Sequence, residues 1–456
     1  MEEEKALKEE AKRNSIRDGS AYNVMDGMGL RYITPYALTF GFSNKLIGFL
    51  SVFPTLFGSL LRISFSKSYY KAKRKKIVLP FIFIQAFFWI PLILVGIFYF
   101  FLGMKISTAS ILLIAFYSII VISGILAAPA WTSWMQDLVE TNRGAYFGKR
   151  NRINGFVLLI SMMAAGLILD YFDGKNIFFG FIILFGLASI GRYISFYFLK
   201  KQYEPQAVKD EKAYFSFFQF IKKMPSNNFG RFAIFTSLIS FGVAIASPFF
   251  SVYMLKDLGL SYLAFTLINL SALVSPIVLL PFIGSITDKF GTVRIMKISS
   301  FLISFIPLLW IFSIFLLKFN SGVLISYLIV IELFSGFVWA SFNLASSNFI
   351  YDAVTKPKII LCFTYFSFLN AVGAFFGGVI GGQISSISTI SIFGLTGILI
   401  LFLISFVLRL LPSIFLASKL KEVREVDKSP IVISFGIRET FASFWKLISN
   451  QSLRPK

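Results

Sequence analysis

Three ionisable residues sit where their chemistry is costly: Asp26, Arg31 and Glu332 each lie within a run of apolar, small and hydroxyl side chains. A charge at mid-bilayer costs roughly 2.5–3.5 kcal/mol on insertion scales, so such a group is normally paired or functional. Burial disfavours the charged form of a carboxylate, and a neighbouring guanidinium favours it. A carboxylate whose arginine is taken up by substrate therefore exchanges its proton in step with that substrate. Asp26 and Glu332 are the candidates for proton coupling, and Arg31 for an anionic substrate contact or their countercharge. Asp26 and Arg31 are five residues apart, about 140° around an ideal helix. That spacing puts them on different faces and points to an Arg31–Glu332 contact instead. The plainer alternative is a permanent pairing of Asp26 that only holds its segment in place. Arg192 and Arg409 also lie deep, and read as structural hydrogen-bonding groups.

Other chemistries are excluded by composition. The chain has no His, and Cys362 is its only cysteine. No His general base, intrachain disulfide or thiolate-rich metal site can be built from it. No Gly-x4-Gly-Lys-Ser/Thr loop for nucleotide phosphates occurs. Neither enzymatic activity nor a cofactor is expected, and the energy source should be an ion gradient.

The elements that position these residues follow from the hydrophobic pattern. Of 456 residues, 56% are hydrophobic and 18% aromatic, but only 14% are charged, against roughly 25% in soluble domains. Twelve apolar spans can be placed, at 18–42, 45–67, 77–102, 108–136, 149–172, 175–199, 229–255, 261–287, 295–318, 321–350, 358–384 and 388–418. Each is near or above the roughly 20 residues a helix needs to cross the hydrocarbon layer. The first contains Asp18, Asp26 and Arg31, and is the least apolar. The fold class is thus an all-α polytopic membrane protein of twelve transmembrane helices.

The net charge of +22 does not indicate nucleic acid, because the basic residues cluster between spans. Alternate connections hold groups such as Lys71, Lys73, Arg74, Lys75 and Lys76, or Arg143, Lys149, Arg150 and Arg152. The intervening ones hold single residues, Lys45, Lys105, Lys175, Lys256 and Lys318. The asymmetry predicts a multi-pass cell-membrane protein with both termini cytosolic. Residues 1–17 form a charged cytosolic segment that does not read as a secretory signal. Residues 18–199 and 229–418 form two six-helix bundles, 200–228 a cytosolic linker, and 419–456 a cytosolic tail. Phe215, Phe218 and Ile221 in the linker recur at helical spacing, as do Ile437, Phe441, Phe444, Trp445 and Ile448 in the tail. Both read as amphipathic helices on the membrane surface.

The bundles echo one another. Gly58-Ser59-Leu60-Leu61-Arg62 ends the second span and Gly284-Ser285-Ile286-Thr287-Asp288 the eighth. Asp137-Leu138-Val139 ends the fourth, and Asp352-Ala353-Val354 the tenth. These offsets are about half the chain, as in duplicated transporter bundles. The run Gly284-Ser285-Ile286-Thr287-Asp288-Lys289-Phe290-Gly291-Thr292-Val293-Arg294 resembles the Gly-x-x-x-Asp-(Arg/Lys)-x-Gly loop signature of the major facilitator superfamily. The segment Trp134-Met135-Gln136-Asp137-Leu138-Val139 is similar to the loop after span four in many members. The first-half signature departs from the pattern, with Arg62 where the family has Asp. A half-latch at Arg62 would need an acidic partner, Asp137 or Glu140. Gly284 and Gly291 would serve close helix approach and a tight turn.

The resemblance implies two pseudo-symmetric bundles working by alternating access, and a gating loop at Arg62, Asp137, Gly284, Asp288, Gly291 and Arg294. Asp288 would latch the bundles in the outward-facing state. It also implies that spans one, four, seven and ten line a central cavity, which nominates Asn23, Asp26, Arg31, Tyr117, Trp131, Ser247, Glu332, Trp339 and Asn343. The expected function is secondary transport of a small organic solute, proton-coupled as a symporter, by a monomer in the bilayer. Efflux of amphipathic compounds is the alternative, weakened because span five lacks the antiporter Gly-Pro motif. A third reading, a non-transporting sensor or lipid-handling protein, lacks the signalling domain that would support it.

Overall fold

The computed structural model describes residues 2–71, 73–139, 143–205, 215–355, 358–387, 391–392 and 395–426. Glu140 and the tail segment 437–448 lie outside them. The first half comprises α1 (Glu2–Met28), α2 (Ile33–Thr39), α3 (Asn44–Ser64), α4 (Ser68–Lys71), α5 (Arg74–Phe87), α6 (Trp89–Leu102), α7 (Ile106–Leu138), α8 (Arg143–Phe172) and α9 (Ile177–Lys201). A short α10 (Phe217–Lys223) leads to α11 (Asn228–Val252), α12 (Tyr262–Phe290), α13 (Thr292–Ile311), α14 (Ser313–Leu316), α15 (Ser321–Ala353), α16 (Ile359–Ile384) and α17 (Ile398–Phe415). Polar side chains stop the apolar runs from fraying: Ser43, Asn176, Asn227, Ser261 and Asn320 each accept a backbone N–H at a helix start.

Among the described residues, ten helices are long and apolar enough to cross a membrane. An eleventh counts if the two parts of α12, bent by 54°, form one span. The expected first span, 18–42, is not among the helices that meet this length and apolarity test. Its charges dilute α1, and a 3-10 turn at Leu30–Tyr32 separates α1 from the seven-residue α2. Nor does helix one begin at residue 18. It runs unbroken from Glu2, with Ala11, Asn14 and Ser15 buried, and Lys12 O accepts from Tyr146 Oη at 3.0 Å. The last span starts at Ile398 rather than 388, after Ser391–Ile392 pairs antiparallel with Leu395–Thr396.

The helix packing repeats across the two halves. In the first, α1 packs on α8 and α9, α5 on α7 and α9, and α3 on α7. In the second, α11 packs on α16 and α17, α13 on α15 and α17, and α12 on α15. The halves meet through α3 against α16 and α8 against α12, which are themselves exchanged by the same relation. Apolar helices gain little from burial against each other in lipid, so close approach depends on small residues. The α16 glycines divide that work. A Cβ at Gly373, Gly377 or Gly381 would strike the carbonyls of Ser237, Phe241 and Ile245 on α11, while Gly378 and Gly382 face Val52, Asn44 and Lys45 on α3.

Among the described residues, the hydrogen bonds between halves gather toward the face with few basic residues. Asn44 Nδ2 donates to Ser385 O at 3.3 Å, Tyr32 Oη and Thr266 Oγ1 are 2.6 Å apart, and Leu263 N donates to Asp170 Oδ1 at 3.4 Å. At the Lys/Arg-rich face, α10 docks on α16, with Tyr365 Oη donating to Phe215 O at 2.7 Å. The docking residues include Phe217 and the buried Phe220, whereas Phe218 is 83% exposed. The protein-facing residues of this helix thus include two, Phe217 and Phe220, that lie outside the Phe215, Phe218 and Ile221 stripe.

Candidate functional site

A chamber of about 700 Å3 lies between the halves. α11 presents Ser240, Ser247 and Ser251 to it, and α15 presents Trp339, Asn343 and Ser346, as their helical spacing dictates. α2 adds Thr34, α3 adds Ser51 and α16 adds Asn370. Pro248 cannot donate a backbone bond to Ala244 O, so that carbonyl is left without its usual i+4 partner along this wall. Ser237, three residues before Ser240 on α11, is not in the chamber wall and donates to Leu369 O at 2.7 Å. No lining residue of this serine chamber carries a charge. Its means of holding a molecule are hydroxyls, two amides and aromatic faces. Of the expected cavity residues, it gathers Ser247, Trp339 and Asn343.

A second chamber, of about 490 Å3, lies within the first half and holds Asn23 and Trp131. Its character comes from three residues that the sequence did not nominate: Asp18, Arg150 and Arg192. Arg192 Nε donates to Gln85 Oε1 at 2.7 Å and Nη1 to Ser195 Oγ at 2.8 Å. Ser195 Oγ in turn donates to Asp18 Oδ1 at 2.6 Å. Arg150 Nε donates to Ser15 O and Oγ, both at 3.2 Å, and its Nη2 stands 3.9 Å from Asp18 Oδ2. The guanidiniums lie over rings, Arg150 over Trp131 and Arg192 over Tyr22, each 4.8 Å from the centroid. A smaller pocket of about 190 Å3 shares Ala128 with this arginine chamber and Ser347, Ile350 and Phe363 with the serine chamber. The three therefore neighbour one another through shared wall residues.

Asp26, Arg31, Tyr117 and Glu332 line neither chamber. Arg31 Nη2 is 3.3 Å from Asp26 Oδ2, so the expected separation of these two is wrong. The 140° estimate assumes an unbroken helix, and here α1 ends at Met28 and a tighter 3-10 turn carries Arg31 back over Asp26. The expected Arg31–Glu332 contact is absent among the described residues. Glu332 instead accepts from Trp310 Nε1 at 3.2 Å, on the α13 side of α15. Tyr117 packs against the main apolar core. Arg409 makes hydrogen bonds within its half, reaching the carbonyls of Ile303 at 3.3 Å and Val243 at 3.5 Å.

The loop residues also choose other partners. Asp137 pairs with the buried Arg74 rather than Arg62. Arg62 is itself buried and lies 5.9 Å over the ring of Phe363, on α16 of the other half. Arg424, just after α17, is 2.9 Å from Asp352 and 3.7 Å from Asp288, so the partner of Asp288 comes from the start of the tail and not from the first half. Gly291 adopts φ +96°, and a Cβ there would strike the Glu422 carboxylate. Gly284 has open space where a Cβ would stand, so close approach does not explain it. Arg294 lies 5.9 Å over the Phe290 ring. One symmetric device was missed by sequence reading. Glu204, after α9, accepts from Arg74 N at 2.7 Å, and Glu422, after α17, accepts from Val293 N and Thr292 Oγ1 at 2.8 Å each. Each glutamate caps the first helix of the third span of its half. Among the described residues no three carboxylate or thiol groups converge to hold a metal ion.

The Major Facilitator Superfamily model matches residues 19–350 and again 232–453. None of the curated proteins matches the chain in sequence. Among solved structures, a bacterial homologue of the iron transporter ferroportin in an inward-facing state aligns with TM-score 0.68 at 10% identity, over 91% of this chain and 98% of that one. Nucleoside transporter NupG aligns with TM-score 0.61 at 16% identity, over 91% and 100%. The outward-facing ferroportin homologue aligns with TM-score 0.58 at 12% identity, over 90% and 98%. At these identities the likeness is one of fold.

Proposed function

The chain belongs to the major facilitator superfamily, a family of membrane transporters, and on that premise we propose that it moves a small organic solute by alternating access, driven by protons. The observation that carries this reading is the serine chamber. It is walled by helices of both halves, and the hydrogen bonds between the halves lie toward one end of the molecule. Closing the opposite end while those bonds part would transfer a bound molecule from one face to the other. The hydroxyl and amide lining suits a solute with several hydrogen-bonding groups, and Trp339 offers a face for stacking.

The proton assignment stays with Asp26 and Glu332, in different settings. Asp26 has a guanidinium beside it that a moving substrate or helix could withdraw, as coupling requires. Glu332 has only an indole N–H. The test is uptake by proteoliposomes across an imposed pH gradient, against a solute panel, alongside solute exchange at equal pH. A coupling carboxylate loses driven uptake and keeps exchange when neutralised, so Asp26→Asn should do so. If Asp26→Asn and Glu332→Gln both still accumulate solute on a pH gradient, neither carries the proton. Phe342, Phe363 and Phe366 in the chamber wall favour a second reading, efflux of amphipathic compounds. Accumulation of an apolar dye in inside-out vesicles, with no polar solute moved, would select it.

A further inference from the structure

We propose that the arginine chamber is an anion subsite, which holds the carboxylate or another singly charged acidic group of the transported solute while the serine chamber holds its neutral part. The link to a transported solute rests on the transport reading; the anion site does not. Its wall contains two guanidiniums, Arg150 and Arg192, and one carboxylate, Asp18. Asp18 and Arg192 are 3% and 5% exposed, so their charges are poorly screened by bulk water. One positive charge is left without a countercharge in the wall. Arg192 is fixed by Gln85 and Ser195, and Asp18 is held from the other side by Ser195. Arg150 is the adaptable member. Its Nε is committed to Ser15, but its Nη2 is 3.9 Å from Asp18, beyond hydrogen-bond range. A carboxylate entering over Trp131 would take the end of that guanidinium. The smaller pocket lies between the two chambers and shares wall residues with each, Ala128 with one and Ser347, Ile350 and Phe363 with the other.

The local field can be measured with the protein in nanodiscs. Asn151, on the chamber wall, is changed to Cys in a Cys362→Ser background. It is then reacted with a sulfonate-bearing and a trimethylammonium-bearing methanethiosulfonate. The sulfonate-to-ammonium rate ratio should exceed that of a free thiol in solution by about ten-fold. It should fall to the free-thiol value in Arg150→Gln, persist in Arg150→Lys, and rise further in Asp18→Asn. Millimolar acetate should slow the labelling and acetamide should not. A ratio no higher than the free thiol, a ratio unchanged by Arg150→Gln, no reaction with either reagent, or no protection by acetate would each overturn the proposal. Asn343→Cys in the serine chamber separates the two readings. If it is unreactive while Asn151→Cys behaves as stated, the solute chamber fails and the anion site stands.

Discussion

Gly291 shows how a single position can be fixed by backbone and neighbour together. Its φ of +96° with ψ of 153° belongs to a region that only glycine occupies without strain, and the Glu422 carboxylate fills the space where a side chain would begin. Gly291→Ala should lower stability by about 1–3 kcal/mol, read as earlier thermal unfolding of the purified protein. Adding Glu422→Ala should not restore it, because the backbone strain and the lost cap at Val293 both remain. Full recovery in the double variant would mean that the collision alone mattered. The charged residues follow a different logic. Arg74, Arg62 and Arg424 each meet a partner supplied by another helix or by the next half. No spacing along the chain specifies that choice, which is why Asp137 was matched to the wrong arginine.

At the scale of helices, α16 carries two glycine faces with separate duties. Gly377 sits against Phe241 O of α11, inside one half, whereas Gly378 sits against Val52 and Gly48 of α3, across the seam. Gly377→Leu should overpack the half and lower stability by about 1–3 kcal/mol. Gly378→Leu should leave the unfolding temperature nearer to that of the unaltered protein and disturb the seam instead. Equal destabilisation by both would show that the halves do not move as separate bodies. The long apolar runs were plain in the sequence, because they are a property of composition over 20 residues or more. Helix starts were less legible. α8 begins at Arg143, so Arg150 lies two turns inside a helix and faces a chamber, although by type and neighbours it reads as a loop charge. Asp18 was likewise read as the edge of a span, whereas α1 passes through it unbroken. Ser247, Trp339 and Asn343 of the serine chamber were nominated through the family resemblance. The arginine chamber was not legible, because its charges come from three helices that no periodicity connects.

For the whole molecule, the alternating basic connections predict an orientation as well as a path. With Cys362 replaced, Lys105→Cys should react with an impermeant maleimide on intact cells and Lys73→Cys should not. The reverse pattern would invert the protein in the membrane and leave its fold untouched. The central claim is that one chamber serves both faces in turn. The measurement that addresses it most directly is the labelling rate of Asn343→Cys from each side, in right-side-out and inside-out vesicles, with and without Gly378→Leu. Asn343 should be reachable from both faces. Gly378→Leu, by loosening the α3–α16 seam, should raise its rate from the Lys105 side and lower it from the Lys73 side, changing the ratio of the two rates by about ten-fold if the shift in population approaches 1.4 kcal/mol. Labelling from one face only, at a rate that Gly378→Leu leaves unchanged, would contradict alternating access through this chamber.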